Sequence, residues 1–283
     1  MTILLLGDSH SDIFLSIPNT SRFDLGACEL KVFTAHRFVN PNDTDLWSKL
    51  TPWFEQQTEN NKTLIITSGE IDIRAHYWKH MLPYGNLLQY ITDNATKFYH
   101  ALQQLVEKYK LEHIVVWGPP VAEERARYVS EYPFGGSSYT RNLIVHCWNR
   151  EFNRLSFNNS TITLATAYYN FIDFDTYRSI EPSGSHDGVH WHPSSGPTFW
   201  EHFITPAMSG NKIVIDNEDQ IALVEKTSTG EHQYDTWART DQIISLDNIS
   251  KSVIIKDNSY SWVRAEQRNQ LPQQYRELGL QKI

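Results

Sequence analysis

Short apolar runs alternate with longer amphipathic segments over roughly the first 200 residues of the chain. The clearest runs lie at residues 2–6, 63–67, 114–117 and 161–165, and a weaker one lies at 30–34. Glycine follows the first three clear runs directly or after one residue, which is typical of buried strands that feed turns. Between the runs, apolar residues recur at helical spacing, which predicts helices over residues 43–57, 86–109 and 139–155.

The alternation of strands and helices indicates the fold class. Continuous apolar strands are typical of sheets that are buried on both faces, and long helices between successive strands are typical of parallel pairing. The sequence therefore predicts an α/β fold in which helices cover both faces of a mostly parallel sheet.

The pattern changes near residue 210. Short segments rich in Ile and Val follow at 213–215, 221–224, 243–246 and 253–255, and Asp, Asn, Ser and Gly separate them. Such segments are typical of a small antiparallel β unit, and residues 265–280 are a further helix candidate. We expect an α/β domain over residues 1–208 and a small β-rich C-terminal part over 212–283, either a separate module or an extension of the main domain.

Composition and charge disfavour several classes of protein. The chain has 283 residues, and no apolar run approaches the roughly 18 residues that a membrane-spanning helix needs. A net charge of −8 without a basic stripe disfavours a nucleic-acid partner. Cys28 and Cys147 lie far apart, which disfavours a disulfide scaffold and a thiolate zinc site. We expect a cytoplasmic protein with no membrane span, and the oligomeric state stays open.

The first motif with chemical potential is Gly7-Asp8-Ser9-His10, where the first predicted strand meets a turn. Such a turn can present a serine hydroxyl at the carboxyl edge of a sheet, with backbone N–H groups facing a developing anion. Taken alone, these residues are interpreted equally well as an ordinary strand-to-helix cap.

The second motif lies at residues 187–191 (Asp-Gly-Val-His-Trp), before the last helix candidate of the α/β part. An Asp three residues before a His can hold the imidazole in the tautomer that accepts a proton from serine. A surface loop with an incidental Asp and His is the alternative. The joint occurrence of both motifs favours a catalytic triad of Ser9, His190 and Asp187.

With both motifs in place, residues 1–206 resemble the SGNH (GDSL-like) hydrolase family. Gly7-Asp8-Ser9 matches the block that carries its nucleophile, and residues 187–190 match the block that carries its Asp and His. Gly118-Pro119-Pro120 is similar to a proline-rich loop of the family, and the GDSH form is similar to that of members acting on bacterial surface glycans. The resemblance implies a flavodoxin-like three-layer α/β/α fold. We expect no cofactor and no metal.

Two positions depart from the family's pattern at its oxyanion hole. The third block, GxND in the family, is Gly-Glu-Ile-Asp at residues 69–72, and Ile71 stands where an Asn would donate. Losing one such donor typically costs about 10²–10³ in rate. The glycine of the second block does not follow the candidate strand at 30–34, so the backbone N–H of Ala35 is the predicted donor there.

The segment 69–74 carries two carboxylates and an arginine at the carboxyl end of a strand, where α/β proteins bind ligands. The predicted binding residues at this edge are Asp8, Ala35, Gly69, Glu70, Asp72 and Arg74. Arg74 either pairs with Glu70 or Asp72 or contacts an anionic sugar, and a structural ion pair is slightly favoured. Arg74, His76 and Asn40 are candidates for the missing oxyanion donor.

The residues and the resemblance together predict an acyl-ester hydrolase that acts on O-acetyl groups of carbohydrate. In this hypothesis Ser9 attacks the ester, His190 transfers the proton and Asp187 orients His190. A carbohydrate O-acyltransferase and a non-catalytic glycan-binding protein stay open as alternatives. A metallophosphoesterase is disfavoured because its Gly-Asn-His block is absent. The loops after Gly69 and Pro120, including residues 134–137, are expected to shape the acyl pocket.

Overall fold

The computed structural model describes residues 3–15, 17, 20–22, 33–57, 62–77, 87–123, 138–173, 178–179, 189–213, 215, 232–237, 241–246 and 253–257. The predictions made for residues 30–32, 134–137, 187, 221–224 and 265–280 lie outside these described residues. All structural statements therefore concern the parts of the chain around them.

Five parallel strands form the central sheet. They are β1 (Ile3–Gly7), β2 (Thr20–Arg22), β3 (Thr63–Thr67), β4 (His113–Trp117) and β5 (Ile162–Ala165), in the spatial order β2-β1-β3-β4-β5. Flavodoxin-like sheets have this order, and they bind ligands where it reverses, beside β1 and β3. Gly7 lies opposite Thr67, and Thr67 lies opposite Trp117. The carboxyl ends of β1, β3 and β4 are thus level, and the loops that follow them meet at one edge.

Among the described residues between β2 and β5, four segments form α-helices. They are α1 (Ala35–Phe38), α2 (Thr44–Gln57), α3 (Leu87–Tyr109) and α4 (Ser138–Ser156). Their apolar side chains, such as Leu50 and Phe98, form one buried cluster with Leu6, Ile66 and Val116 of the sheet. This cluster covers one face of the sheet.

The opposite face is covered by two segments from distant parts of the chain. A 3₁₀ helix (Ser9–Phe14) follows β1, and a helical segment near residue 200 consists of α5 (Gly196–Phe199), a π-helical turn (Trp200–Ile204) and α6 (Thr205–Met208). Phe14 and Phe199 pack there against the sheet residues Ile65 and Val115. The predicted α/β fold with helices on both faces is thus confirmed. No helix in the described part of the chain combines the length and apolar character that crossing a membrane requires.

The predicted helices agree with α2, α3 and α4 to within one or two residues. At the start of α2, Asp43 Oδ1 accepts the N–H of Leu46 at 2.9 Å, which is a typical N-cap. The weak strand at 30–34 is wrong for its described residues, because Phe33 and Thr34 precede α1 in no strand. Thr34 instead caps α1, since its Oγ1 accepts the N–H of Arg37 at 3.1 Å.

Residues just after 210 contact the α/β domain, although the sequence assigned them to the C-terminal part. Lys212 Nζ donates to the carbonyl oxygens of Asn159 and Ile162 at 2.6 and 2.9 Å. Asn153 Nδ2 donates to the carbonyl oxygen of Ile213 at 3.0 Å. Ile213 and Ile215 lie outside any strand and pack against the cluster on the α2–α4 face, so the strand predicted at 213–215 is wrong for these two residues. The division of the chain into two parts stays a prediction.

In the described residues after β5, two antiparallel sheets are present. The first is small and pairs β6 (Ile172–Asp173) with β7 (Arg178–Ser179). The second has the order β10-β9-β8 and consists of β8 (His232–Trp237), β9 (Asp241–Leu246) and β10 (Val253–Asp257). The Ile- and Val-rich segments predicted at 243–246 and 253–255 lie within β9 and β10, whereas the polar strand β8 was not predicted.

Candidate active site

Ser9 and His190 lie together after the carboxyl end of β1, although 181 positions separate them in the chain. Ser9 Oγ is 2.7 Å from His190 Nε2. With the ring proton on Nδ1, Nε2 accepts the hydrogen of the serine hydroxyl, as a general base does. Ser9 is exposed and His190 is half-buried. Two residues of the predicted triad therefore meet, while Asp187 lies outside the described residues and its role stays a prediction.

The turn after β1 determines where Ser9 points. Gly7 lies so close to β3 that a Cβ atom would overlap the side chain and the carbonyl oxygen of Thr67. Asp8 follows in extended conformation, and its Oδ1 accepts the N–H of His10 at 3.0 Å, which caps the 3₁₀ helix. Asp8 and His10 are buried on either side of the exposed Ser9. The turn thus presents the serine hydroxyl while it buries both neighbouring side chains.

Aromatic packing holds the segment that carries His190. Its neighbours Val189 and Trp191 are both buried. The ring of Trp191 lies 4.9 Å from that of Phe171 and 5.2 Å from that of Phe199, measured between centroids. Because the two flanking side chains are buried, the imidazole of His190 is left at the edge of the sheet beside Ser9.

A second imidazole packs against His190. The rings of His10 and His190 stack with centroids 4.7 Å apart and an angle of 29° between their planes. On its other side, His10 Nε2 lies 3.4 Å from Glu70 Oε2. His10 is therefore a buried bridge between the candidate base and a carboxylate at the end of β3.

A buried ion pair lies after β3. Arg74 Nε donates to Glu70 Oε1 at 2.6 Å. Gly69 begins this turn with a φ of +108°, a conformation that favours glycine, and a π-helical turn follows at Asp72–His76. Of the roles predicted for Arg74, the structure contains the ion pair with Glu70. The part of Gly69 in ligand binding stays a prediction.

Neighbouring charges control the protonation of this cluster. Burial opposes the charge of Glu70, but Arg74 and His10 outweigh it and hold the pKa of Glu70 well below its usual range. Burial likewise opposes the charge of His10, but Asp8 and Glu70 outweigh it and raise the pKa of the imidazole. The Glu70 carboxylate is therefore charged at neutral pH. His10 binds a proton more readily than a free imidazole does.

Asp72 caps the N-terminus of α1. Its Oδ2 accepts the N–H of Ala35 at 2.8 Å, and its Oδ1 accepts the N–H of His36 at 3.0 Å. The prediction that the Ala35 N–H faces an oxyanion is therefore wrong in this structure, because a carboxylate already occupies that donor. Ile71 is half-buried and offers no side-chain donor. The backbone N–H of Ser9 as an oxyanion donor stays a prediction.

Burial also changes the acidity of the two aspartates at this edge. It raises the pKa of Asp8 to about 6, although the neighbouring His10 acts in the opposite direction. It raises the pKa of Asp72 to about 6 as well, against the effect of the hydrogen bonds from His36 and Ala35. Both carboxyl groups are thus harder to ionise in the folded protein than in the unfolded chain.

A narrow cleft borders the Glu70–Arg74 pair. Among the residues that line it are Glu70, Arg74, Pro119, Pro120, Val121 and Val189. The loops after β3 and β4 therefore both contribute to a cleft next to the segment of His190, and their role as an acyl pocket stays a prediction. A wider groove of about 520 Å³ lies between α2 and α3 and includes none of the predicted site residues.

His192, two positions after His190, has a structural contact of its own. In the part of the chain that the structure describes, no three His, Cys, Asp or Glu residues are grouped so as to hold a metal ion. His192 Nδ1 lies 2.7 Å from Ser194 Oγ and caps the short 3₁₀ helix Pro193–Ser195. This contact joins residues two positions apart and stabilises the start of that short helix.

His10 is the site residue that the sequence did not identify as a neighbour of the candidate base. The available signal was its position directly after the serine of the GDSH motif. The sequence shows that Asp8 can cap the turn at His10. It does not show that His10 stacks on His190, because no local pattern connects the segment of His190 to β1.

The fold and the site together define a flavodoxin-like α/β protein with a serine–histidine pair at the carboxyl edge of its sheet. No family model and no curated protein sequence matches the chain. A solved structure of a provisionally assigned platelet activating factor from Streptococcus pneumonia is 14% identical, with a TM-score of 0.46 over 71% of this chain and 80% of its own. A provisionally assigned acylhydrolase from Bacteroides fragilis is 13% identical, with a TM-score of 0.44 over 74% and 86%. What this chain does must therefore be inferred from its own site.

Proposed function

We propose that this protein is a serine-dependent acyl-ester hydrolase. The observation that carries the proposal is the 2.7 Å contact between Ser9 Oγ and His190 Nε2 at an exposed position on the sheet edge. A hydroxyl group beside an imidazole nitrogen that can accept its proton is an activated nucleophile. The site lies beside β1 and β3, where sheets of this strand order bind ligands.

The reaction has two halves. Ser9 Oγ forms a bond to the carbonyl carbon of the ester while His190 Nε2 takes the hydroxyl proton. His190 then gives that proton to the departing alkoxide, which leaves an acyl group on Ser9. In the second half, His190 removes a proton from water and the resulting hydroxide attacks the acyl carbon. The bond from that carbon to Ser9 Oγ then breaks, the carboxylic acid leaves, and the proton returns from His190 to Ser9 Oγ. In this proposal Asp187 orients His190, and the backbone N–H of Ser9 donates to the oxyanion.

For the substrate we propose a short acyl group, an O-acetyl group on a carbohydrate. The cleft that Pro119, Pro120 and Val189 help to line lies beside the segment of His190, and we propose that the acyl group binds there. Arg74 is buried in its ion pair with Glu70, so it is poorly placed to select an anionic substrate. The GDSH sequence of the nucleophile motif supports a glycan as the alcohol part of the ester.

One observation favours a second candidate, a glycan-binding protein without efficient catalysis. The N–H of Ala35 already donates to Asp72, and the side chain of Ile71 has no hydrogen-bond donor. An acyl transfer site with too few donors for the oxyanion loses a large part of its rate. Binding without turnover is the property that distinguishes this candidate.

Reaction with a fluorophosphonate, followed by intact-mass analysis, tests the nucleophile. We expect one adduct on the wild type and none on Ser9→Ala, because Ser9 is an exposed serine whose hydroxyl contacts a base from a distant segment. Ser194→Ala is the matched control, since Ser194 Oγ also lies 2.7 Å from a histidine nitrogen, in His192. We expect this control to be labelled like the wild type.

The same three proteins are then assayed for acetate release from an O-acetylated oligosaccharide. Turnover by the wild type that falls at least about 10³-fold in Ser9→Ala supports the hydrolase. Acetyl transfer to an added sugar in preference to water indicates the acyltransferase. An unlabelled, folded wild type that retains the oligosaccharide on a column contradicts the hydrolase and supports the glycan-binding protein.

A further inference from the structure

The cleft that borders the Glu70–Arg74 pair has two walls that are far apart in sequence. The loop after β4 forms one wall with residues 119–122, and helix α4 contributes Arg141 and Val145 to the other. The side chains of Arg141 and Val145 are buried. The distance between this loop and this helix therefore sets the width of the cleft.

Asn142, a buried residue of α4, joins the two walls. Its Oδ1 accepts the N–H of Ala122 at 2.7 Å, and its Nδ2 donates to the carbonyl oxygen of Ala122 at 3.1 Å. Ala122 lies in neither a helix nor a strand, so the side chain of Asn142 bonds to backbone groups that secondary structure leaves open. Because the amide pairs with the donor and the acceptor of one residue, it fixes both the position and the orientation of that residue.

Further contacts hold the loop at both of its ends. Arg141, directly before Asn142, donates from Nη2 to the carbonyl oxygen of Glu123 at 3.3 Å. At the start of the loop, Pro119 packs against the turn after β3, where a Cβ atom on Gly69 would approach Pro119 Cγ to 3.1 Å. The loop is thus held against the turn after β3 at one end and against α4 at the other.

We propose that Asn142 is a positioning residue that determines acyl selectivity: by pairing with Ala122, it sets the distance between the two walls of the cleft in which the acyl group binds. This inference rests on the proposed hydrolase and deepens it. One methylene group in an apolar pocket changes the rate about 10–200-fold. A small displacement of the loop from α4 is therefore enough to change which acyl groups react.

Two esters that differ only in their acyl group test the inference, p-nitrophenyl acetate and p-nitrophenyl hexanoate. Asn142→Leu keeps a side chain of similar size and removes both bonds to Ala122. We expect the ratio of kcat/KM for the acetate to kcat/KM for the hexanoate to fall at least about tenfold, because the released loop admits the longer chain. Partial unfolding would lower both rates equally and leave this ratio unchanged, so the ratio reports on the cleft.

Asn153→Leu is the matched control. Asn153 is also a buried residue of α4, and its Nδ2 donates to the carbonyl oxygen of Ile213 at 3.0 Å. Ile213 is not among the residues that line the cleft. The control therefore breaks the same kind of bond on the same helix, and we expect it to leave the ratio of the two kcat/KM values unchanged.

Hydrogen exchange at the backbone N–H of Ala122, followed by NMR, tests the contact without any reaction. We expect faster exchange in Asn142→Leu than in the wild type, and no change in Asn153→Leu. If Asn142→Leu loses its cooperative thermal transition, Asn142→Ala takes its place with the same expected results, since it leaves space for water beside Ala122.

The outcomes separate the two proposals. A folded wild type that hydrolyses neither ester defeats the hydrolase. An active wild type with the same ratio of kcat/KM values in the Asn142 variant overturns the inference and leaves the hydrolase standing. Exchange at Ala122 that is equal in the wild type and in the Asn142 variant also overturns the inference, because the loop is then held without Asn142.

Discussion

The two strand ends that border the site use their polar side chains in opposite ways. After β1, Ser9 is exposed, and its hydroxyl meets an imidazole from a segment 181 positions away. After β3, the side chains of Glu70 and Arg74 bind each other, and Asp72 binds backbone N–H groups at the start of α1. One end offers a reactive group to solvent, and the other uses its charged groups inside the protein.

This difference shows that charged side chains at the end of a strand do not by themselves identify a catalytic group. A nucleophile needs a partner that accepts its proton during the reaction, which the imidazole of a histidine can do for a serine hydroxyl. A buried carboxylate needs partners that stay, because an unpaired charge in the interior is expensive. The charged side chains after β3 therefore stabilise the turns beside the serine–histidine pair.

The largest expected effect comes from breaking the ion pair after β3. Arg74→Met removes the cation and leaves Glu70 as a buried charge without its main partner, which we expect to lower the free energy of unfolding by about 3–5 kcal/mol. Chemical denaturation measures this change. Arg154→Met is the control, since Arg154 also lies 2.6 Å from a carboxylate, that of Glu151, but is exposed. An effect of below about 0.5 kcal/mol is expected there, and equal losses in the two variants would contradict the distinction.

A smaller effect depends on pH and concerns Asp8. Burial raises its folded pKa to about 6, above the ordinary value of 3.8, so the folded state holds a proton that the unfolded chain releases earlier. As pH rises from about 4 to about 6, the wild type therefore loses free energy of unfolding relative to Asp8→Asn, on the order of 2–3 kcal/mol in total. The amide keeps the acceptor for the N–H of His10. Denaturation curves collected at several pH values test this, and two parallel stability profiles would rule it out.

The smallest effect is expected at the cap of α1. Asp72→Asn keeps one acceptor oxygen but turns an N–H₂ group toward the other backbone donor, so we expect a loss of about 1–2 kcal/mol. Asp45→Asn is the control, because Asp45 is an exposed carboxylate that pairs with Arg37 and Lys49. Thermal denaturation compares the two, and a variant at Asp72 as stable as that at Asp45 would show that the cap contributes little.

Much of the fold was predictable from local patterns. Apolar runs such as 63–67 are buried on both faces, so their composition alone identifies them as central strands. β2 was not predicted, since a strand of three residues has too little pattern to distinguish it from a loop. β8 contains no Ile, Val or Leu and was overlooked for a related reason. Where hydrophobic periodicity was absent, local sequence carried no signal.

At the site, Ser9 and His190 were predictable because each lies in a motif whose spacing reflects a chemical requirement. The occupation of the Ala35 N–H by Asp72 was not, since 37 positions separate the two residues. The choice of Glu70 as the partner of Arg74 was open as well, because Asp72 lies closer in sequence. Only the π-helical turn and the burial around it select between them.

The sequence by itself determined the central strands β1, β3, β4 and β5, the helices α2, α3 and α4, the α/β class and the identity of Ser9 and His190 as the candidate pair. It did so because periodicity, glycine positions and motif spacing are local properties of the chain. The tertiary structure alone decided that His10 stacks on His190, that Asp72 caps α1 and that the charges after β3 are paired internally. The first two contacts join segments far apart in sequence, brought together where the level ends of the parallel strands place their loops side by side. The third joins residues four positions apart, and the fold of the turn after β3 decides which carboxylate meets Arg74.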